Sequence, residues 1–310
     1  MTGRLTVDTW APLLCLALAA AVRLPASGHA PTAVAGALAA PLAAIAAAWM
    51  AGPGATPWAG CLLALSPIHA LASRQVAPES LLVTTLLVAV WLLAVLERYG
   101  HPALAVALGL VVGGLASGGA PAFAAVAILL PSWLALRRER RAAAFLSAVV
   151  ALAVGAAAIV PGLARSPFDY GEIAPSIPAT TLQGLVRCAG ASFTRVMGLE
   201  YHLVVSQARY VLPLTALFVA LMVRGAMRLS ARPRGLLVAG TLVPLALGAV
   251  MALVTGQVAP LQANRLLAAL PFVALLTANG LASLSGTRAW AAGTLVGGIL
   301  AAFLALALAR

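Results

Sequence analysis

The chain has 310 residues, of which 63% are hydrophobic and 8% charged, and its formal net charge is +12. Soluble domains carry about 25% charged and about 45–50% apolar residues, so this composition excludes an ordinary soluble enzyme and reads as a polytopic membrane protein. All 19 basic residues are arginine. They fall between apolar runs without interleaved aromatics, which excludes a nucleic-acid surface and fits control of membrane topology.

Apolar runs fall at 10–24, 31–51, 57–72, 79–97, 102–118, 120–136, 142–164, 210–227, 235–256, 266–285 and 289–309. The fold class is therefore all-α, a single transmembrane domain over 1–310 with about eleven spans. Several are shorter than the roughly 20 residues a bilayer core asks for. The first run, after Arg4 and before the small residues 26–28, fits both a signal peptide and a retained first helix. Asp8 weakens the positive n-region and favours the second reading. Alanine-rich, glycine-punctuated runs such as 31–51 and 102–118 suit close helix packing. Cys15, Cys61 and Cys188 have no metal-ligand spacing, and no disulfide framework is implied.

Arginine sets the orientation. Arg137, Arg138, Arg140 and Arg141 form one cluster, Arg224, Arg228, Arg232 and Arg234 a second, and Arg4, Arg98 and Arg288 stand singly. Counting spans from a cytoplasmic N-terminus puts all of them on one side, as the positive-inside rule asks of a multi-pass inner (plasma) membrane protein. Connections 24–31, 73–79, 165–209 and 257–265 are then external. The third is the sizeable one. Within it Leu182, Leu185, Val186, Ala189, Phe193, Val196 and Met197 recur at helical spacing, which predicts an amphipathic helix on the membrane surface. A plain packed loop helix is the other reading.

The stretch Leu65-Ser66-Pro67-Ile68-His69 leads to Ser73-Arg74, and Glu79-Ser80 opens the next apolar run. A second stretch runs from Asn264-Arg265 through Leu266, Leu267, Ala268, Ala269 and Leu270 to Pro271-Phe272. Together they resemble the GT-C membrane glycosyltransferases, which include protein O-mannosyltransferases and lipid A aminoarabinose transferases. Two short motifs carry this resemblance across about 31–285. It implies a GT-C-like fold that moves a sugar, with inversion, from a polyprenyl-phosphate donor to an outer-face acceptor, with no cofactor and no metal. Membrane lipids, and other membrane proteins of an envelope assembly, are the remaining partners it allows.

The family generally takes its catalytic base from an aspartate in the first outer loop. Here that loop, 23–31, holds no carboxylate. Glu79 is then the leading replacement base. A catalytically silent GT-C-like scaffold or accessory subunit is the alternative this departure leaves open.

Chemistry supports part of the assignment independently. Arginine holds phosphate bidentately and stays charged, while transfer to a hydroxyl needs a group to accept its proton. Arg74, Ser73, Arg187, Arg195, Glu200, His202 and Arg265 are the expected substrate-binding residues, all on the outer side. Blander readings stand beside these. Arg74 and Glu79 can pair and cap the helix that follows; Arg265 can be a snorkelling anchor; His69 can be a hydrogen-bonded packing residue; Tyr201-His202 can sit at the membrane interface. No P-loop and no Gly-x-Ser-x-Gly elbow is present.

Overall fold

A computed structural model describes residues 7–23, 30–74, 78–116, 129–130, 133, 140–162, 196–197, 208–255, 265–284 and 286–308. Among them the chain is helical throughout, with no strand. The helices are α1 (Val7–Arg23), α2 (Ala30–Met50), α3 (Thr56–Ala64), α4 (Pro67–Arg74), α5 (Pro78–Tyr99) and α6 (Pro102–Ala116). They continue as α7 (Arg141–Gly162), α8 (Ala208–Arg228), α9 (Ala231–Thr255), α10 (Leu270–Ala282) and α11 (Thr287–Leu308). Short 3-10 turns, Pro53–Ala55 and Arg265–Ala269, precede α3 and α10.

Four helices are long and apolar enough to cross a membrane, namely those around 32–50, 81–99, 231–254 and 287–306. Counting α3 and α4 as one broken span makes five. Four further helices are apolar but shorter, among them α6 and α10 with its preceding turn. The run 57–72 is where the sequence expectation is corrected. It is two helices bent by 54°, not one continuous span. Pro67 is the cause: it has no N–H to give the Leu63 carbonyl and disfavours helical backbone at Ser66. The expected run 120–136 falls mostly outside the described residues, as does the predicted surface helix at 181–198. Two members of its stripe, Val196 and Met197, are described, and both are buried in the core.

The centre of the bundle is α10. Every residue from Leu266 to Leu281 is buried, as expected of a helix apolar on all sides. At 1.5 Å per α-helical and about 2.0 Å per 3-10 residue, Arg265–Ala282 reaches about 30 Å, the thickness of a hydrocarbon core. At the periphery, α9 and α11 are only 33% and 22% buried over their spans. Phe145, Leu152, Val254 and Trp290 project outward, the surface that lipid would cover.

Among the described residues, one end of the bundle gathers an ion pair and a cation–π contact. Arg98 lies over the Trp49 ring at 5.3 Å, Arg140 donates to the Arg98 carbonyl at 3.2 Å, and Arg232 pairs with Glu97. Trp58 and Trp290 meet edge-on at 5.4 Å near the same helix ends, where interfacial aromatics belong. The opposite end joins α4 to α1. If the arginine-rich end faces the cytoplasm, a cysteine at exposed Ser230 should resist an impermeant maleimide in intact cells. It should react after permeabilisation. Labelling in intact cells above that of the unsubstituted chain would reverse the orientation.

Candidate functional site

The candidate site lies where α1 and α4 end and α5 begins. Its geometry starts from the break at Ser66-Pro67. An α-helix leaves its last carbonyls without partners, and here Pro67 removes the donor that Leu63 would otherwise use. The Leu63 carbonyl keeps one long bond, from the Ser66 N–H at 3.3 Å.

Arg23, the last residue of α1, supplies the rest. Its guanidinium is 0% exposed and donates to the Ala64 and Leu63 carbonyls, each at 3.0 Å, and to its own helix at Ala19. It also lies 2.9 Å from His69 Nδ1. Arginine has only donors, so Nδ1 is the acceptor and the ring proton of neutral His69 sits on Nε2. His69 is thus the hydrogen-bonded packing residue of the blander reading. Among the described residues the partners of the Arg23 guanidinium are backbone carbonyls and a ring nitrogen, at the negative end of the broken helix's dipole.

Arg74 closes the mirror contact. It donates from Nε and Nη2 to the Val22 carbonyl, at 3.2 and 2.6 Å, capping the end of α1. Arg74 thus caps the helix that carries Arg23, Arg23 caps α3, and the two guanidiniums are neighbours. Beside them Ser73 is fully buried and donates back to the His69 carbonyl at 2.6 Å. It packs against Gly36 of α2 so closely that any side-chain carbon at Gly36 would collide with Ser73 Oγ and Cβ. Arg74 remains partly exposed, at the rim of this arrangement.

Glu79 lies in the first turn of α5, which Pro78 opens, the position where a missing N–H costs nothing. The side chain of Glu79 is outside the described residues, as are Arg187, Arg195, Glu200 and His202. Arg265 begins the 3-10 turn before α10, and that turn packs against α5 and α9. Of the sequence-predicted residues, the structure thus brings Ser73 and Arg74 together and places Glu79 at the next helix start. Arg74 has the Val22 carbonyl as its partner, which neither the phosphate-binding nor the ion-pair reading anticipates.

Sequence reasoning missed Arg23. The signal was present, because Arg23 ends its span on the side opposite the dense arginine clusters. Such a residue has a local reason to be there. Among the described residues no group of three His, Cys, Asp or Glu side chains is placed to hold a metal ion. The chain matches no protein-family model, no curated protein and no solved structure.

Proposed function

We propose that the protein is a GT-C-type membrane transferase, and that the junction of α1, α4 and α5 receives the phosphate of a polyprenyl-phosphate sugar donor. The observation that carries this reading is the arginine pair at the ends of apolar helices. Arg74 is partly exposed at the rim, with Arg23 directly behind it and Glu79 opening the next helix. A phosphate at the membrane edge would meet a cation whose field is reinforced by a second, buried one.

In this reading Glu79 takes the proton of the acceptor hydroxyl. The acceptor oxygen bonds to the anomeric carbon from the face opposite the phosphate, with inversion. The anomeric carbon–oxygen bond to the phosphate breaks, and the bonding pair leaves with the phosphate, whose charge Arg74 stabilises. The silent-scaffold reading also has an observation in its favour. Both guanidiniums already donate to backbone carbonyls, which is what a structural clip does.

Arg74→Ala and Glu79→Gln separate the two. One charge-assisted hydrogen bond is worth about 1.5–3 kcal/mol, so Arg74→Ala should weaken binding of a polyprenyl phosphate in nanodiscs by tenfold or more. Glu79→Gln should leave that binding intact and abolish sugar transfer. Both variants should insert in the membrane like the unsubstituted chain. Unchanged donor binding in a folded Arg74→Ala protein would favour the scaffold.

A further inference from the structure

At the other end of the bundle, a cleft of about 870 Å³ opens between α2, α5 and the start of α9. Its volume is that of a ligand pocket rather than a packing defect. One wall is apolar, made by Met50, Val90, Leu93 and Leu236, while Glu97, Arg98, Ser230 and Arg232 form a polar wall. A space with one apolar and one charged wall fits an amphiphile.

The sign of that amphiphile follows from the charges. Arg98, Arg140 and Arg232 gather here, and among the described residues Glu97 is the carboxylate they meet. Among the described residues, Arg98 and Arg232 in the lining, with Arg140 bound to the Arg98 carbonyl behind them, outnumber the one carboxylate and leave an excess of positive charge. The guanidinium carbon of Arg98 lies over the Trp49 ring at 5.3 Å and the Tyr99 ring at 5.8 Å, cation–π contacts that help hold it in place. Arg232 is half-exposed and reaches across from α9 to α5 through its bond to Glu97. Such planar, oriented donors are suited to the oxygens of a phosphate diester.

Space and access point the same way. Gly235 lines the cleft, and a side-chain carbon built there would meet nothing within 4 Å. The adjoining helix α9 is a peripheral one, two thirds unburied over its span, so the cleft adjoins the surface that lipid covers. Trp49 marks the depth as interfacial.

We infer that this cleft binds one anionic phospholipid of the leaflet on the arginine-rich side. Its phosphate lies on Arg98 and Arg232, and an acyl chain runs along Val90, Leu93 and Leu236. The site is at the opposite end from the α1, α4 and α5 junction and does not depend on the transferase reading.

The test uses the full-length protein in mixed micelles containing phosphatidylglycerol, with phosphatidylcholine and inorganic phosphate as separate arms. Phosphatidylglycerol should raise the thermal midpoint by several degrees more than phosphatidylcholine, and inorganic phosphate should not reproduce the shift. Arg98→Gln should weaken phosphatidylglycerol binding about tenfold, the loss of one guanidinium–phosphate contact. Gly235→Phe places a ring at the wall of the cleft while keeping every charge, from a position where an added side-chain carbon meets nothing within 4 Å, and it should abolish the difference between the two lipids. Equal shifts with both lipids would overturn the proposal, as would full phosphatidylglycerol binding by Gly235→Phe. An equal shift with inorganic phosphate would leave an ion site and overturn the lipid.

Discussion

Arg23→Ala should destabilise the protein by about 3 kcal/mol or more, the largest loss expected from any single arginine among the described residues. The substitution leaves the Ala64 carbonyl and His69 Nδ1 without the donor they use in the buried interior, and leaves the Leu63 carbonyl with only its 3.3 Å bond. A buried acceptor stripped of its partner costs about 1–3 kcal/mol. Removing a cation from the interior returns some desolvation energy, which holds the sum near the lower bound. Arg23→Lys should recover only part of the loss, because one ammonium cannot reproduce a fork that bridges two carbonyls and a ring.

A second substitution isolates the cause. Pro67→Ala restores an N–H four residues after Leu63, so in the Arg23→Ala background it should regain stability that it does not confer on the unsubstituted chain. Equilibrium unfolding in mixed micelles, run as a double-mutant cycle, measures this coupling. A loss below about 1 kcal/mol in Arg23→Ala would show that other donors reach the broken end of α3.

Gly280→Ala should be nearly as damaging, although it adds a single methyl group. The helices α8 and α10 approach until backbone touches backbone. A side-chain carbon on Gly280 would strike the Leu221 carbonyl, and one on Gly225 would strike the Leu276 carbonyl. This reciprocal contact is the small-residue crossing of membrane helices, and Asn279 ties it by donating to the Gly225 carbonyl at 2.7 Å. A backbone carbonyl cannot turn aside as a flexible side chain does, so α8 must move bodily. Overpacking of this kind costs about 1–3 kcal/mol, and Gly280→Val should exceed that range.

Gly297→Ala in α11 is the control. A carbon there meets nothing within 4 Å, so the change should be neutral or stabilise by up to about 1 kcal/mol through helix propensity. Thermal unfolding of the three variants in one detergent gives the comparison. Equal midpoints for Gly280→Ala and Gly297→Ala would refute the close crossing.

The positions of the long apolar helices were determined by the sequence itself. Runs read at 31–51, 79–97 and 289–309 became Ala30–Met50, Pro78–Tyr99 and Thr287–Leu308. Composition suffices there, because a lipid-compatible helix must satisfy its backbone internally and needs only an unbroken apolar stretch. The gathering of arginine at one end was equally legible, since each charge reports on its own helix end. Pro78 as a helix entry was a local signal too.

Only the tertiary structure decided what the charged residues at the other end do. Arg74 reads in sequence as the partner of Glu79 or of a phosphate, yet its donors meet the Val22 carbonyl, 52 positions earlier. Arg23 reads as the first residue of a short loop, yet it is buried against carbonyls 40 and 41 positions later. Backbone acceptors carry no side-chain signature, and which of them lack partners depends on where a helix breaks. The break at Ser66-Pro67 creates that need, and the packing of α1 against α3 brings Arg23 to meet it. The same holds for α10, whose apolar composition resembles that of peripheral helices and whose central place follows from the glycine contacts with α8. Local chemistry made the helices, and long-range complementarity of backbone groups chose their neighbours.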